Sequence, residues 1–245
     1  DTSSGAGNIT IDALTGFGAT GADKDIYLRA GTGTVTLDGA IGDEALLRDV
    51  TIRSNDIIIT GTGSIAIANT LTVYTENGTV PMNIGTDGGA GFWDLDDAEL
   101  SSILNADSII IGETGIQSSN IVFDTSDFSA VAGLTALSAF SNDDTLGGDI
   151  QLIDSDDVTE LPAINGGSAD ITLRADSEII SANYRYNSGT DAIADITANG
   201  NITLDADQTP GEIGADPAAT GFTPDTDPGA LQITALANTL VNIDD

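Results

Sequence analysis

The chain has 245 residues, 40% hydrophobic but only 4% aromatic, and its 39 acids against 6 bases give a net charge of −33. A surface this negative repels nucleic acid and anionic lipid headgroups and draws cations. With no His and no Cys, Ser-His-Asp catalysis, thiol nucleophiles, disulfides and histidine metal sites are excluded.

Of the acids, 32 are Asp and 7 are Glu, which puts the charge in turns and caps rather than in helices. The scarcity of aromatics leaves Ile, Leu, Val and Ala to build the interior, which suits a narrow core of stacked aliphatic layers.

The first phrase along the chain is Asn8-Ile9-Thr10-Ile11-Asp12-Ala13, and a near copy closes the ordered pattern at Asn201-Ile202-Thr203-Leu204-Asp205-Ala206. Between them stand Asp25 to Ala30, Asp49 to Ser54 and Asp170 to Ala175, with the same order of acid or amide, aliphatic, polar, aliphatic, polar, small. Alternation of period two marks a strand with one buried face. It predicts strands at 8–13, 25–30, 34–38, 49–53, 56–60, 64–68, 70–75, 81–84, 107–111, 120–124, 149–153, 170–174, 178–182, 194–197, 201–205, 230–234 and 239–243. The predicted core pairs include Val35/Leu37, Val50/Ile52, Leu71/Val73, Ile109/Ile111, Ile171/Leu173, Ile202/Leu204 and Leu231/Ile233.

Gly, Asn, Asp, Ser and Thr fill the gaps, as in Gly31-Thr32-Gly33 and Asn77-Gly78. Many gaps are too short for a sandwich, and no systematic two-residue hairpin turns join the strands. The spacing predicts an all-β fold, a right-handed parallel β-helix (solenoid) of about 10–12 coils at about 20 residues per coil. Residues 1–245 are expected to form one such domain, with both ends cut from something longer.

Two stretches break the rhythm. Near 94–106, Leu95, Ala98, Leu100, Ile103 and Leu104 are spaced for a short helix that Asp96 or Asp97 would cap. Near 125–141, Phe128, Val131, Leu134, Leu137 and Phe140 step by three, as in a second helix or an irregular excursion. Both read as insertions on the side of the fold. The segment 208–229 holds four of the six prolines and reads as a loop.

Two motifs carry a family resemblance. Gly39-Ala40-Ile41-Gly42-Asp43 is followed by Leu46 to Ile52 and Asp56 to Thr60, with a weaker echo in Gly211 to Ala215 and Leu231 to Ala235. Trp93-Asp94-Leu95 leads through Leu104 into Ser108-Ile109-Ile110-Ile111-Gly112-Glu113-Thr114-Gly115-Ile116. These resemble the filamentous haemagglutinin-like adhesins, giant bacterial surface proteins with right-handed parallel β-helices. The amino-terminal secretion domain of that family is not evident, so the likeness implies a piece of the shaft or a subunit of similar build.

The remaining chemistry is oxygen chemistry. Paired carboxylates could support a polysaccharide-active enzyme of the pectin lyase-like kind, and the doublets are Asp96-Asp97, Asp143-Asp144 and Asp156-Asp157. Calcium takes several oxygen ligands, and the Asp-rich loops offer Asp94, Asp96 and Asp97, then Asp154, Asp156 and Asp157, then Asp205 and Asp207. The same acids read equally as a solvated surface. Tyr184-Arg185-Tyr186 could stack a sugar ring.

The sequence therefore points to a structural and adhesive module of a secreted bacterial surface protein or extracellular filament. It would act as a stiff rod that stacks end to end on itself and presents loops to cell-surface glycans or proteins, without membrane insertion. A polysaccharide enzyme and a calcium-dependent surface-layer or matrix protein are the alternatives.

Overall fold

The phrase that recurs along the chain folds as its alternation dictates. In Asp170–Ala175 and Ile202–Ala206 the aliphatic Ile171, Leu173, Ile202 and Leu204 are fully buried, while Thr172 and Thr203 between them are half-buried. The computed structural model describes residues 7–14, 24–42, 46–86, 89, 91–141, 148–153, 162–181, 195–206, 212–215, 233–235 and 241–244.

In chain order these residues form β1 (Ile9–Ile11), β2 (Ile26–Arg29), β3 (Thr34–Leu37), β4 (Ala40–Ile41), β5 (Val50–Arg53), β6 (Asp56–Ile59), β7 (Ser64–Ala66) and β8 (Thr70–Tyr74). There follow β9 (Met82–Gly85), β10 (Trp93–Asp96), the helix α1 (Asp97–Leu100), β11 (Ile103–Asn105), β12 (Ser108–Gly112), β13 (Ile121–Asp124), β14 (Ser126–Asp127) and β15 (Ala136–Ser141). The last are β16 (Ile150–Ile153), β17 (Ile164–Gly167), β18 (Asp170–Ala175), β19 (Glu178–Ser181), β20 (Ile196–Ala198), β21 (Ile202–Ala206), β22 (Glu212–Ala215), β23 (Ile233–Ala235) and β24 (Val241–Asp244).

Every pairing between these strands is parallel. They make five separate sheets, in the orders β1-β3-β6, β11-β7-β4, β10-β9-β13-β16-β19-β22, β14-β17-β20-β23 and β2-β5-β8-β12-β15-β18-β21-β24. In the eight-stranded sheet the buried residues stand in register: Leu71 beside Ile109, then Leu137, Ile171 and Ile202. One apolar cluster draws on all five sheets, from Val35 and Ile65 through Trp93 and Phe123 to Ile196 and Leu204. Each buried Leu or Ile contributes roughly 1.5–3 kcal/mol relative to exposure.

Each predicted strand overlaps an observed one, and the predicted core pairs are buried wherever both members are described by their side chains, except that Ile9, Ile11 and Ile26 near the start of the chain are only partly buried. The expected uniform spacing does not hold. In the eight-stranded sheet the chain between register partners is short from Ile26 to Val50, and much longer from Leu71 to Ile109 and from Ile202 to Val241. The longest sheet accordingly has eight strands, fewer than coils of uniform short spacing would give.

The two expected helical insertions hold short strands and little helix. Over 94–106 the helix shrinks to the four residues of α1, between β10 and β11. Over 125–141 no helix forms. Phe128, Val131, Leu134 and Leu137 are buried as the spacing suggests, but Leu137 and Ala139 alternate inward on β15 while Phe140 is only half-buried. Within 208–229, the four residues of β22 form a strand, and the rest of that loop lies outside the described residues.

Candidate functional site

The parallel order is broken between β6 and β10. Among the described residues β6 pairs with β3 alone and β10 with β9 alone, although β6 and β10 lie side by side. The β3 side of β6 is satisfied by the parallel ladder, which Thr60 N–H continues to Leu37 O at 3.1 Å. Alternate residues on a strand send their amides to the opposite edge. On that edge the Ile57 amide donates to Asp56 Oδ1 at 2.9 Å and the Ile59 amide donates to Glu99 Oε1 at 2.8 Å. Two carboxylates thus take the place of a neighbouring strand.

The local sequence explains how Glu99 gets there. Asp96 and Glu99 are spaced as a capping box. Asp96 Oδ1 accepts the Glu99 amide at 2.9 Å, and Glu99 Oε2 accepts the Asp96 amide at 3.1 Å. Leu95, Leu100 and Ile103 are buried around α1, and the Ser101 and Ser102 hydroxyls donate to Ala98 O, at 2.7 and 3.0 Å, to close the turn. Both Glu99 oxygens therefore accept amides, with the residue only 9% exposed.

The seam is acidic. Burial pushes the Glu99 carboxyl up to about 7, against the pull of its two amide donors, and the charges of Asp96 and Asp56 add to the rise. Asp97 is raised by burial and then by Asp96, Asp124 and Asp127. Asp124 is raised by burial, offset by the Thr86 hydroxyl that donates to its Oδ2 at 3.0 Å.

Beside this seam opens a cleft of about 510 Å³. Thr32, Thr34, Asn55 and Asp56 line it from the β3 and β6 side, and Phe92 and Asp94 from the β10 side. Asn55 Oδ1 is buried and accepts no hydrogen bond, and Phe92 is half-buried.

A second polar cluster lies on the eight-stranded sheet. Parallel pairing sets Arg29 beside Arg53, like charge on like, and Glu76 lies between them. Glu76 Oε2 accepts from Arg29 Nε at 3.1 Å, and Arg53 Nε lies 3.1 Å from the same oxygen. The hydrogen bond from Arg29 holds the Glu76 carboxyl below the usual range. Arg53 also lies 5.3 Å above the Tyr74 ring, whose hydroxyl is 3.3 Å from that of Tyr27.

The expected calcium ligands fall in three separate stretches of the chain, and the described residues include only part of them. Asp94, Asp96 and Asp97 sit on the seam, but the Asp96 carboxylate is engaged in capping. Asp205 is on β21, where Arg174 Nε meets its Oδ2 at 2.8 Å. Asp154, Asp156, Asp157 and Asp207 lie outside the described residues, as do Asp143, Asp144 and the Tyr184–Tyr186 stretch. Among the described residues no group of three or more acids is placed to hold a metal ion, and no helix is long and apolar enough to cross a membrane.

Sequence reasoning missed Glu99, Asn55 and Phe92. The spacing of Asp96 and Glu99 was a readable signal for the first. Nothing in the sequence brings 32–34, 55–56 and 92–94 to one cleft. Compared with known proteins, the chain matches no family model, no curated protein and no solved structure.

Proposed function

We propose that the chain is a segment of a right-handed parallel β-helix that serves as a structural and adhesive module of a secreted bacterial surface protein or extracellular filament. The observation that carries this reading is the eight-stranded parallel sheet, in which aliphatic residues stack in register from Ile26 beside Val50 to Ile202 beside Val241. Strands about 4.8 Å apart would make such a stack a stiff rod of roughly 34 Å over seven steps. The likeness of the Gly39–Gly42 and Trp93–Leu95 motifs to haemagglutinin-like repeats points the same way. In this reading β2 and β24, the outer strands of that sheet among the described residues, offer edges for another unit. The high negative charge keeps the sides of neighbouring rods apart.

Small-angle scattering combined with sedimentation, from micromolar to near-millimolar protein, tests it. A rod gives an elongated particle of constant cross-section, and end-to-end association lengthens that particle without thickening it. A spherical particle rejects the rod, and a strictly monomeric one rejects the self-stacking.

A further inference from the structure

We propose that the cleft beside the β6/β10 seam binds a neutral sugar residue. The site is argued from its own geometry and goes beyond the shaft reading.

At about 510 Å³ the cleft falls in the range of small-ligand sites and far exceeds the space a lone ion needs. Its lining is oxygen-rich: Thr32 and Thr34 bring hydroxyls, Asp56 and Asp94 carboxylates, and Asn55 an amide. Asn55 Oδ1 itself lies beneath the surface without a donor, so the hydroxyl and carboxylate groups of the lining are the ones a ligand meets. Phe92, half-buried, lines the opposite wall. A pyranose has the matching surface, hydroxyls around its rim and a C–H face that packs on an aromatic ring.

Charge narrows the class. A chain of net charge −33 with two carboxylates in the cleft repels uronates, sialates and phosphorylated sugars. A cation is the competing occupant, but no group of three acids among the described residues is placed to hold one. The break in the sheet is what makes the room. Had β10 hydrogen-bonded to β6, Asp56 and Asp94 would stand on adjacent strands of a closed sheet.

The test is a microarray of neutral glucans, galactans, mannans and chitin fragments, with polygalacturonate as the anionic control. The best-retained neutral oligosaccharide is then titrated by calorimetry against wild type, Phe92→Ala, Asp94→Asn and Thr32→Ala, each checked by thermal unfolding. We expect retention of a neutral glycan but not of polygalacturonate, and a loss of affinity of about tenfold or more in Phe92→Ala and Asp94→Asn with the fold intact. Thr32 is exposed, so Thr32→Ala tests the cleft should either of the others unfold. The proposal is overturned if no neutral glycan is retained, if affinity survives the substitutions in folded protein, or if a chelator abolishes binding. Scattering tests the rod and titration tests the cleft, so either can fail alone.

Discussion

Glu99 Oε1 accepts the backbone amide of Ile59 at 2.8 Å, from a strand far upstream in the chain, at the position where a neighbouring strand would otherwise supply a carbonyl. The arrangement closes one strand edge with a side chain and holds a nearly buried carboxyl whose folded value, about 7, exceeds its ordinary value of 4.5.

The sign of that shift fixes a pH dependence. A carboxyl raised on folding contributes stability that is fully present below about pH 4.5 and is lost as pH rises through 7. The cost of ionising Glu99 in the folded chain is about 3 kcal/mol. Glu99→Gln cannot ionise, but its NH2 group cannot accept one of the two amides that the carboxyl oxygens hold, so it should lie below wild type near pH 4 and the gap should narrow progressively up to pH 8. Urea unfolding of both proteins at a series of pH values measures this, and a difference that stays constant with pH would count against the raised carboxyl.

Glu76 should behave in the opposite sense. Its carboxyl is lowered by the hydrogen bond from Arg29, so its contribution is present above the ordinary Glu range and is lost as pH falls through the folded value. Glu76→Gln leaves Arg29 and Arg53 in register without their shared counter-charge. Its unfolding midpoint should lie below that of wild type at neutral pH, and the two should converge in acid. Thermal melts at pH 7 and pH 3 distinguish the outcomes.

Gln117 is fully buried and fully engaged. Its Oε1 accepts the Thr75 hydroxyl at 2.9 Å, and its Nε2 donates to Val80 O and Ser119 O, both at 3.1 Å. Gln117→Leu removes the partners of the Thr75 hydroxyl and Val80 O in the interior, while Ser119 O keeps the Ser141 hydroxyl at 2.9 Å, and should cost about 2–4 kcal/mol. Loss of hydrogen-exchange protection around 75–80 would locate the effect, and an unchanged stability would remove Gln117 from any bridging role.

Gly78 follows Asn77 in a tight turn with φ of +70°, and a Cβ added there would stand 1.5 Å from Ile116 O. Gly78→Ala should therefore cost more than about 2 kcal/mol, since neither the backbone angle nor the neighbouring carbonyl can accommodate it. Gly61, which has nothing within 4 Å of its added Cβ, is the matched control. Denaturant midpoints of the two alanine variants should differ clearly.

Most strands were legible because a half-buried strand writes itself as alternation, and Ile171, Leu173, Ile202 and Leu204 obey it. Several that sequence reasoning missed fail that test for physical reasons. β4 and β14 have two residues each, too few to show a period. On β15 the second inward residue is Ala139, which an aliphatic pattern passes over, and the threefold spacing from Phe128 to Phe140 mimicked a helix instead. β17 is Ile164-Asn165-Gly166-Gly167, where glycine replaces the second apolar residue because a Cβ at Gly166 would meet the Ile171 side chain at 2.7 Å. The helix cap at Asp96 was readable from spacing, whereas the seam that α1 closes depends on β6, a strand distant in sequence.

The eight-stranded sheet keeps its register while the length of chain between successive register partners varies widely, from the short step between Val50 and Leu71 to the nearly doubled one between Ile202 and Val241. Length can therefore be added or removed at the turns without moving the strands on either side. The sheet acts as a graduated scale on which outward groups such as Arg174 and Asp205 stand one division apart, about 4.8 Å. Whatever is carried on the connecting segments is held at multiples of that interval, so segments unrelated in sequence can be exchanged while the distance between their points of attachment stays fixed.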